Sequence, residues 1–319
     1  MAHPSLVVFG EEGGIALQPA EGLDRSEITY PRFHPGLDLA PILAQVEVII
    51  ASRLPGDIRE RAPRLRWVQA LGAGVDHLMP AEALRRADYL VTNVSGVHAI
   101  PMAETVLSMM LAFAKAWPSL LAEKRRHIWQ RRLLGELHGK TLGLLGLGRI
   151  GSEVARVGKA VGMRVIGVRR SPGGSPPANV DEVMARADVP RLLEASDYVV
   201  CCLPFTPETY HLIGERQLRT MRPTAVLINV GRGPVVDEQA LVRALREGWI
   251  AGAGLDVFEE EPLPESSPLW DLDNVLIMPH VGGDTDRYME RCTALVCENL
   301  RRYAEGQPLL NLVDTQQGY

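Results

Sequence analysis

The sequence predicts an α/β fold built on a parallel, doubly wound sheet, and three observations carry that reading. Short apolar runs alternate with helix-period segments from Thr141 to about His280. A glycine-rich turn, Gly146-Leu147-Gly148-Arg149-Ile150-Gly151, joins one such run to one such helix. The length, 319 residues, is enough for about two domains of ordinary size.

The first third reads as a small α/β domain, with strands expected at Leu6–Phe9, Val46–Ala51, Arg66–Ala70 and Tyr89–Thr92. A long helix follows. Pro101 suits its first position, and Ala103, Val106, Met110, Ala114 and Trp117 form its apolar stripe. Pro118 is expected to end it. The strand Leu142–Leu145 then leads into a helix with Ile150, Val154, Val157 and Val161 on one face. Gly162 closes that helix, and Arg164–Val168 is the next strand. Ser171–Ala178, rich in Pro, Gly and Ser, is a loop. Further strands are expected at Tyr198–Leu203, Ala225–Asn229, Ala251–Asp256 and Val275–Met278. Helices lie between several of them, including Glu238–Arg246 stopped by Gly248. A last helix is expected from about Thr285 to Tyr303.

A net charge of −5 gives no pull towards nucleic acid or an anionic membrane, and no apolar run reaches spanning length. The N-terminal residues lack the charged start and apolar core of a signal peptide. Cys201, Cys202, Cys292 and Cys297 read as reduced thiols of a cytoplasmic protein, and no His or Cys spacing suggests a metal.

The glycine turn carries the first chemistry. Its first glycine permits a tight strand-to-helix turn, its second lets backbone approach a pyrophosphate, and its third lets helix and strand pack closely. Amides at the helix start then face the phosphates. An acidic residue about twenty positions on would bond the ribose of NAD. Here the second strand ends in Arg169-Arg170-Ser171, with Arg169 standing 23 positions after Gly146. A guanidinium bonds a 2′-phosphate where a carboxylate would repel it. The expected coenzyme is therefore NADP(H), with NAD(H) as the alternative.

Three later segments are Asn229-Val230-Gly231-Arg232-Gly233, Leu255-Asp256-Val257-Phe258-Glu259-Glu260-Glu261-Pro262 and Met278-Pro279-His280-Val281-Gly282-Gly283. With the glycine turn, they resemble the D-isomer-specific 2-hydroxyacid dehydrogenases over nearly the whole chain from about Leu71. The resemblance implies a catalytic triplet of Arg232, Glu261 and His280. Arg232 would hold the carboxylate and carbonyl oxygen of a 2-oxo acid. His280 would exchange a proton with the substrate oxygen, and Glu261 would orient the ring and favour its protonated form.

The same resemblance places Leu147 to Ile150 at the pyrophosphate and Leu203 and Pro204 near the adenine, with Thr209 a further candidate. Val230 to Arg232, Gly231 among them, fall near the nicotinamide ribose, Asp256 would face the nicotinamide, and Gly282 is a further coenzyme contact. Leu71-Gly72-Ala73-Gly74-Val75-Asp76 resembles the family's substrate loop, where amides at Ala73, Gly74 and Val75 would hold a carboxylate. Leu54 would line the pocket. His77 and His98 are read as packing or surface residues.

The implied fold is a Rossmann domain, residues 99–283, inserted into a flavodoxin-like substrate domain made of residues 1–98 and 284–319. It also implies a homodimer formed through the coenzyme domain and its long helix, with Met109, Met110 and Trp117 on that surface. Within the family the glyoxylate/hydroxypyruvate reductases fit best. Phosphite, bulkier 2-oxo acids and a dinucleotide-sensing corepressor role stand as alternatives.

Overall fold

The computed structural model describes residues 6–8, 28–29, 40–169 and 176–316. Phe9, Arg170 and Ser171, named above, lie outside the described residues. By its contacts the chain divides into two compact units, Met1–Val97 with Thr285–Tyr319, and His98–Asp284.

The first unit holds a five-stranded parallel sheet of β1 (Leu6–Val8), β2 (Ile28–Thr29), β3 (Val48–Ala51), β4 (Trp67–Ala70) and β5 (Leu90–Thr92). Its order, β2-β1-β3-β4-β5, is the flavodoxin-like one. Strands β3 and β4 are buried at every position, as parallel strands covered on both faces must be. Ile49 and Val68 pack with Leu43, Ile58 and Leu84 from short helices on one face. Val48, Ile50 and Trp67 pack with Cys292, Val296 and Leu300 of the final helix, Tyr288–Ala304, on the other. A buried polar chain adds direction to that apolar contact. The Trp67 indole donates to Thr92 Oγ1 at 2.8 Å, that hydroxyl donates to Gln69 Oε1 at 2.8 Å, and Asn299 Nδ2 donates to the same oxygen at 3.0 Å. Each polar atom so engaged avoids the cost of dry burial, about 1–3 kcal/mol.

The second unit holds seven parallel strands: β6 (Thr141–Leu145), β7 (Arg164–Val168), β8 (Glu182–Met184), β9 (Tyr198–Cys201), β10 (Val226–Asn229), β11 (Gly252–Leu255) and β12 (Val275–Ile277). The order is β12-β11-β10-β9-β6-β7-β8, so β6 and β9 meet where the strand order reverses. Ligands of doubly wound sheets bind beyond the strand ends at that switch. Helices Ala99–Ala114 and Arg149–Ala160 cover one face, and helices Val189–Ala195, Glu215–Thr220 and Glu238–Arg246 the other. Strand β11 reads Gly-Ala-Gly-Leu because the long helix lies directly on it. A methyl group at Gly254 would stand 2.7 Å from Met109 Sδ, and one at Gly252 would stand 2.6 Å from the Phe113 ring.

Several expectations change. Pro118 starts a helix rather than ending one. The long helix is Ala99–Ala114, Ala116 turns left-handed at φ 53°, and Trp117–Arg125 begins anew with Pro118 in its first turn, where a missing N–H costs nothing. Met109 and Met110 are 3% and 0% exposed and belong to the core, so neither contributes to a subunit surface. Strand β8 has no strong apolar pattern. It is an edge strand held by ion pairs, with Glu182 between Arg164 and Arg191. Among the described residues no single helix is long and apolar enough to cross a membrane.

Candidate active site

The glycine turn sits at the C-terminal end of β6. Gly146 has φ +104°, a conformation open to glycine, and its N–H bonds the Val168 carbonyl at 3.1 Å. A methyl group at Gly151 would stand 2.0 Å from the Gly146 carbonyl oxygen, so the helix starts in direct backbone contact with the turn. Nothing lies within 4 Å of where a side chain at Gly148 would begin. The amides of the first helical turn have no intrahelical acceptor, so an anion over Gly148 meets open space at a helix N-terminus. Arg149 is exposed beside it and Ile150 half-buried.

The flanking positions gather at the same strand ends. Leu147 lies over Gly167 of β7, and Leu203 packs against Gly146. Arg169 follows β7 directly, half-buried, with its Nε withdrawn from solvent. Thr209 Oγ1 donates to the Pro204 carbonyl at 2.8 Å and accepts from the Thr206 amide at 2.7 Å, closing the loop after β9. Val230 is 5% exposed, and its amide bonds the Cys201 carbonyl.

Arg232, Glu261 and His280 follow β10, β11 and β12, three neighbouring strands. Arg232 stands between two glycines that are pressed on backbone. A methyl group at Gly231 would lie 2.5 Å from the Leu203 carbonyl oxygen, and one at Gly233 only 1.8 Å from that of Phe258. The Arg232 guanidinium donates to the Gly231 carbonyl at 2.9 Å. Gly233→Ala is therefore expected to cost about 3 kcal/mol of stability in urea unfolding. A loss under about 1 kcal/mol would mean that the two loops part freely.

His280 Nδ1 lies 2.7 Å from Glu261 Oε2, and the other carboxylate oxygen accepts the Phe258 amide at 3.0 Å. His280 has φ 54°, left-handed for a residue with a side chain, which costs about 1–2 kcal/mol and must be imposed by its surroundings. Asp256 imposes it from below. The residue is 2% exposed, and its Oδ1 accepts the amides of Val281 and Gly282, both at 3.0 Å. Burial pushes the Asp256 carboxyl above its usual range, and those two amides oppose the shift. Thr105 Oγ1 donates to the Gly282 carbonyl at 3.0 Å and ties the same turn to the long helix.

The loop that carries Glu261 is also laced. The Glu238 amide donates to Glu259 Oε1 at 3.1 Å, and the Glu259 amide donates to Glu238 Oε2 at 3.2 Å. His211, Asp237 and Glu259 bring ligand-type atoms within 4.8 Å of one another. These groups have structural work: His211 Nε2 meets Glu259 at 2.7 Å, and Asp237 caps the helix Glu238–Arg246 by accepting the Ala240 amide.

In the first unit, the turn after β4 has used carbonyls and unused amides. The Val94 amide takes the Gly72 carbonyl, and Asn93 Nδ2 takes that of Ala73 at 2.8 Å. Among the described residues no acceptor takes the N–H of Ala73, Gly74 or Val75. Leu54 is 5% exposed and its side chain belongs to the core of this unit. Asp256 as the anchor of the His280 turn, Thr105 and His98 are the site residues whose roles the motifs do not disclose. A buried aspartate two residues before a glycine-pressed loop is the one available signal.

A family model for the D-isomer specific 2-hydroxyacid dehydrogenase NAD binding domain matches residues 107–282. The chain belongs to that family. It is an NAD(P)-dependent 2-hydroxyacid dehydrogenase, an oxidoreductase of small 2-oxo and 2-hydroxy acids. A glyoxylate reductase of Thermococcus gammatolerans is 40% identical over 278 residues, covering 84% of this chain and 82% of its own. One from Aeropyrum pernix is 41% identical with the same coverage. A family structure from Xanthobacter autotrophicus in complex with NADPH and MES aligns at TM-score 0.83 with 33% identity over 100% of both chains. An NADPH-dependent glyoxylate/hydroxypyruvate reductase of Sinorhizobium meliloti in complex with NADP and sulfate aligns at TM-score 0.78, with 30% identity, over 89% of this chain and 93% of its own. The turn at Gly146–Gly151 fits the dinucleotide such enzymes use, with a glycine-only backbone and open space over Gly148.

Proposed function

We propose that this enzyme reduces a small 2-oxo acid of the glyoxylate or hydroxypyruvate kind to the 2-hydroxy acid, of D configuration where the product is chiral, with NADPH as coenzyme. The observation that carries the reading is the His280–Glu261 pair on strand ends adjoining that of Arg232. An ionised carboxylate only accepts hydrogen bonds, so His280 Nδ1 donates to Glu261 and Nε2 is the atom that transfers the proton. Arg232 takes the substrate carboxylate and polarises the ketone oxygen. The nicotinamide, when bound, supplies hydride to the carbonyl carbon. His280 gives its proton to the developing alkoxide and reclaims it in the reverse direction. The amides of Ala73, Gly74 and Val75 are proposed as carboxylate donors, in keeping with their lack of described acceptors. Gly146 to Gly151 would hold the pyrophosphate. Leu203, Pro204 and Thr209 would border the adenine, and Val230, Gly231, Asp256 and Gly282 the nicotinamide side.

Purified protein given NADPH and a panel of glyoxylate, hydroxypyruvate, pyruvate and longer 2-oxo acids tests the function. Turnover fastest on the first two supports it, and turnover on none, with phosphite oxidised instead, sinks it. For the coenzyme, Arg169→Asp is expected to lower kcat/KM with NADPH by about 100-fold and spare NADH, since a carboxylate repels the 2′-phosphate. Unchanged NADPH preference in that variant would remove Arg169 from the coenzyme site. The protein is further proposed to be a homodimer. Trp117, Trp129 and Leu133 of the segment after the long helix are 52%, 93% and 100% exposed, more apolar surface than a monomer ordinarily leaves in water. Sedimentation at twice the chain mass is the expected result.

A further inference from the structure

We propose that His98 is a positioning residue for this reaction: its imidazole, packed against Gly283, braces the turn that presents His280. His98 precedes the long helix Ala99–Ala114, and its carbonyl accepts the Met102 amide at 3.0 Å. A methyl group at Gly283 would stand 2.5 Å from the ring's Cδ2 and 3.4 Å from its Nε2. The glycine pair is thus wedged on two sides, Gly282 by Asp256 and Thr105, Gly283 by His98. Ring atom Nδ1 is withdrawn from solvent.

The charged groups that act on this ring are Asp284 of the same turn, Arg232 after β10 and His280 itself. Asp256 lies behind Gly282, and Glu104, on the long helix, is exposed. Burial pushes the His98 imidazole below the ordinary histidine range; Asp284 opposes this, and Arg232 and His280 add to it. These surroundings therefore favour the neutral form of the ring. A second cation beside Arg232 would make the His280 proton harder to keep.

The inference rests on His280 being the proton carrier, and a ring titration tests it without turnover. NMR follows the His280 ring in wild type, His98→Gln and His98→Lys, with His280→Gln assigning the signal. His98→Lys is expected to move the His280 midpoint down by about one pH unit, and the alkaline limb of kcat with it. His98→Gln, the neutral variant, leaves the midpoint in place and loses less kcat than the lysine variant. An unmoved midpoint in His98→Lys, or equal losses in both variants, overturns the proposal. A pair of variants guards against misfolding. Gly283→Ala, which collides with the ring, should lower kcat at least tenfold with coenzyme Kd unchanged, and the double variant with His98→Ala should lose less than the two single losses combined. Additive losses would overturn the bracing role. A protein that reduces no 2-oxo acid sinks the proposed function, whereas the ring titration alone decides the charge argument.

Discussion

His280→Gln is expected to lower kcat for 2-oxo acid reduction by about 100- to 10,000-fold, the range a positioned proton donor supplies. Coenzyme Kd should change little, because the glycine turn proposed to hold the pyrophosphate follows β6 and the histidine follows β12. The glutamine amide keeps a hydrogen-bond partner for Glu261 and carries no transferable proton. The left-handed backbone at position 280 is set by Asp256 and Thr105 through Val281 and Gly282, so the turn survives the loss of the ring. Glu261→Gln is the informative companion. It removes the negative charge and leaves one acceptor oxygen where the carboxylate used two, for Nδ1 and the Phe258 amide, so His280 holds its proton less well and the alkaline limb of kcat moves to lower pH. Stopped-flow measurement of NADPH oxidation across pH checks both. A His280→Gln enzyme within tenfold of wild type would mean that another group, or water, delivers the proton.

What the sequence disclosed and what it hid divide along the range of the interactions. Gly151, Gly231 and Gly233 are legible because other backbone lies 1.8 to 2.5 Å from where a side chain would begin, and Gly146 because its φ of +104° favours glycine. Necessity of that kind leaves a letter in the sequence, and the motifs that hold Arg232 and His280 contain such letters. The alternation of strands and helices was equally readable, and the helix Glu238–Arg246 ends where its capping glycine, at φ +70°, predicts. His98 and Thr105 were not legible, because the turn they brace lies 177 residues further on in the Thr105 contact, with no local pattern to mark it. Met109 was misplaced for a related reason. Its burial is decided by Gly254, on a strand formed far along the chain. Pro118 was read by its general habit of stopping helices, and only the left-handed turn at Ala116 reveals that a new helix begins there.

Arg232→Lys carries the second large effect, an expected fall in kcat/KM of about 100- to 1,000-fold on glyoxylate. Charge is retained in this variant, so the loss measures geometry. A guanidinium offers a planar fork that spans a carboxylate and a neighbouring carbonyl oxygen at once, and an ammonium reaches them only as a point charge. Relocation of the backbone cannot compensate. Gly231 lies against Leu203 and Gly233 against Phe258, so the segment has no room to slide towards the substrate. The native side chain is further steadied by its bond to the Gly231 carbonyl at 2.9 Å. The fall should appear in kcat as well as in KM, because an interaction that strengthens as the alkoxide develops is lost in the transition state. Steady-state kinetics separates the two. A lysine enzyme with raised KM and native kcat would show that Arg232 only anchors the carboxylate, and one with both constants native would take Arg232 out of the reaction altogether.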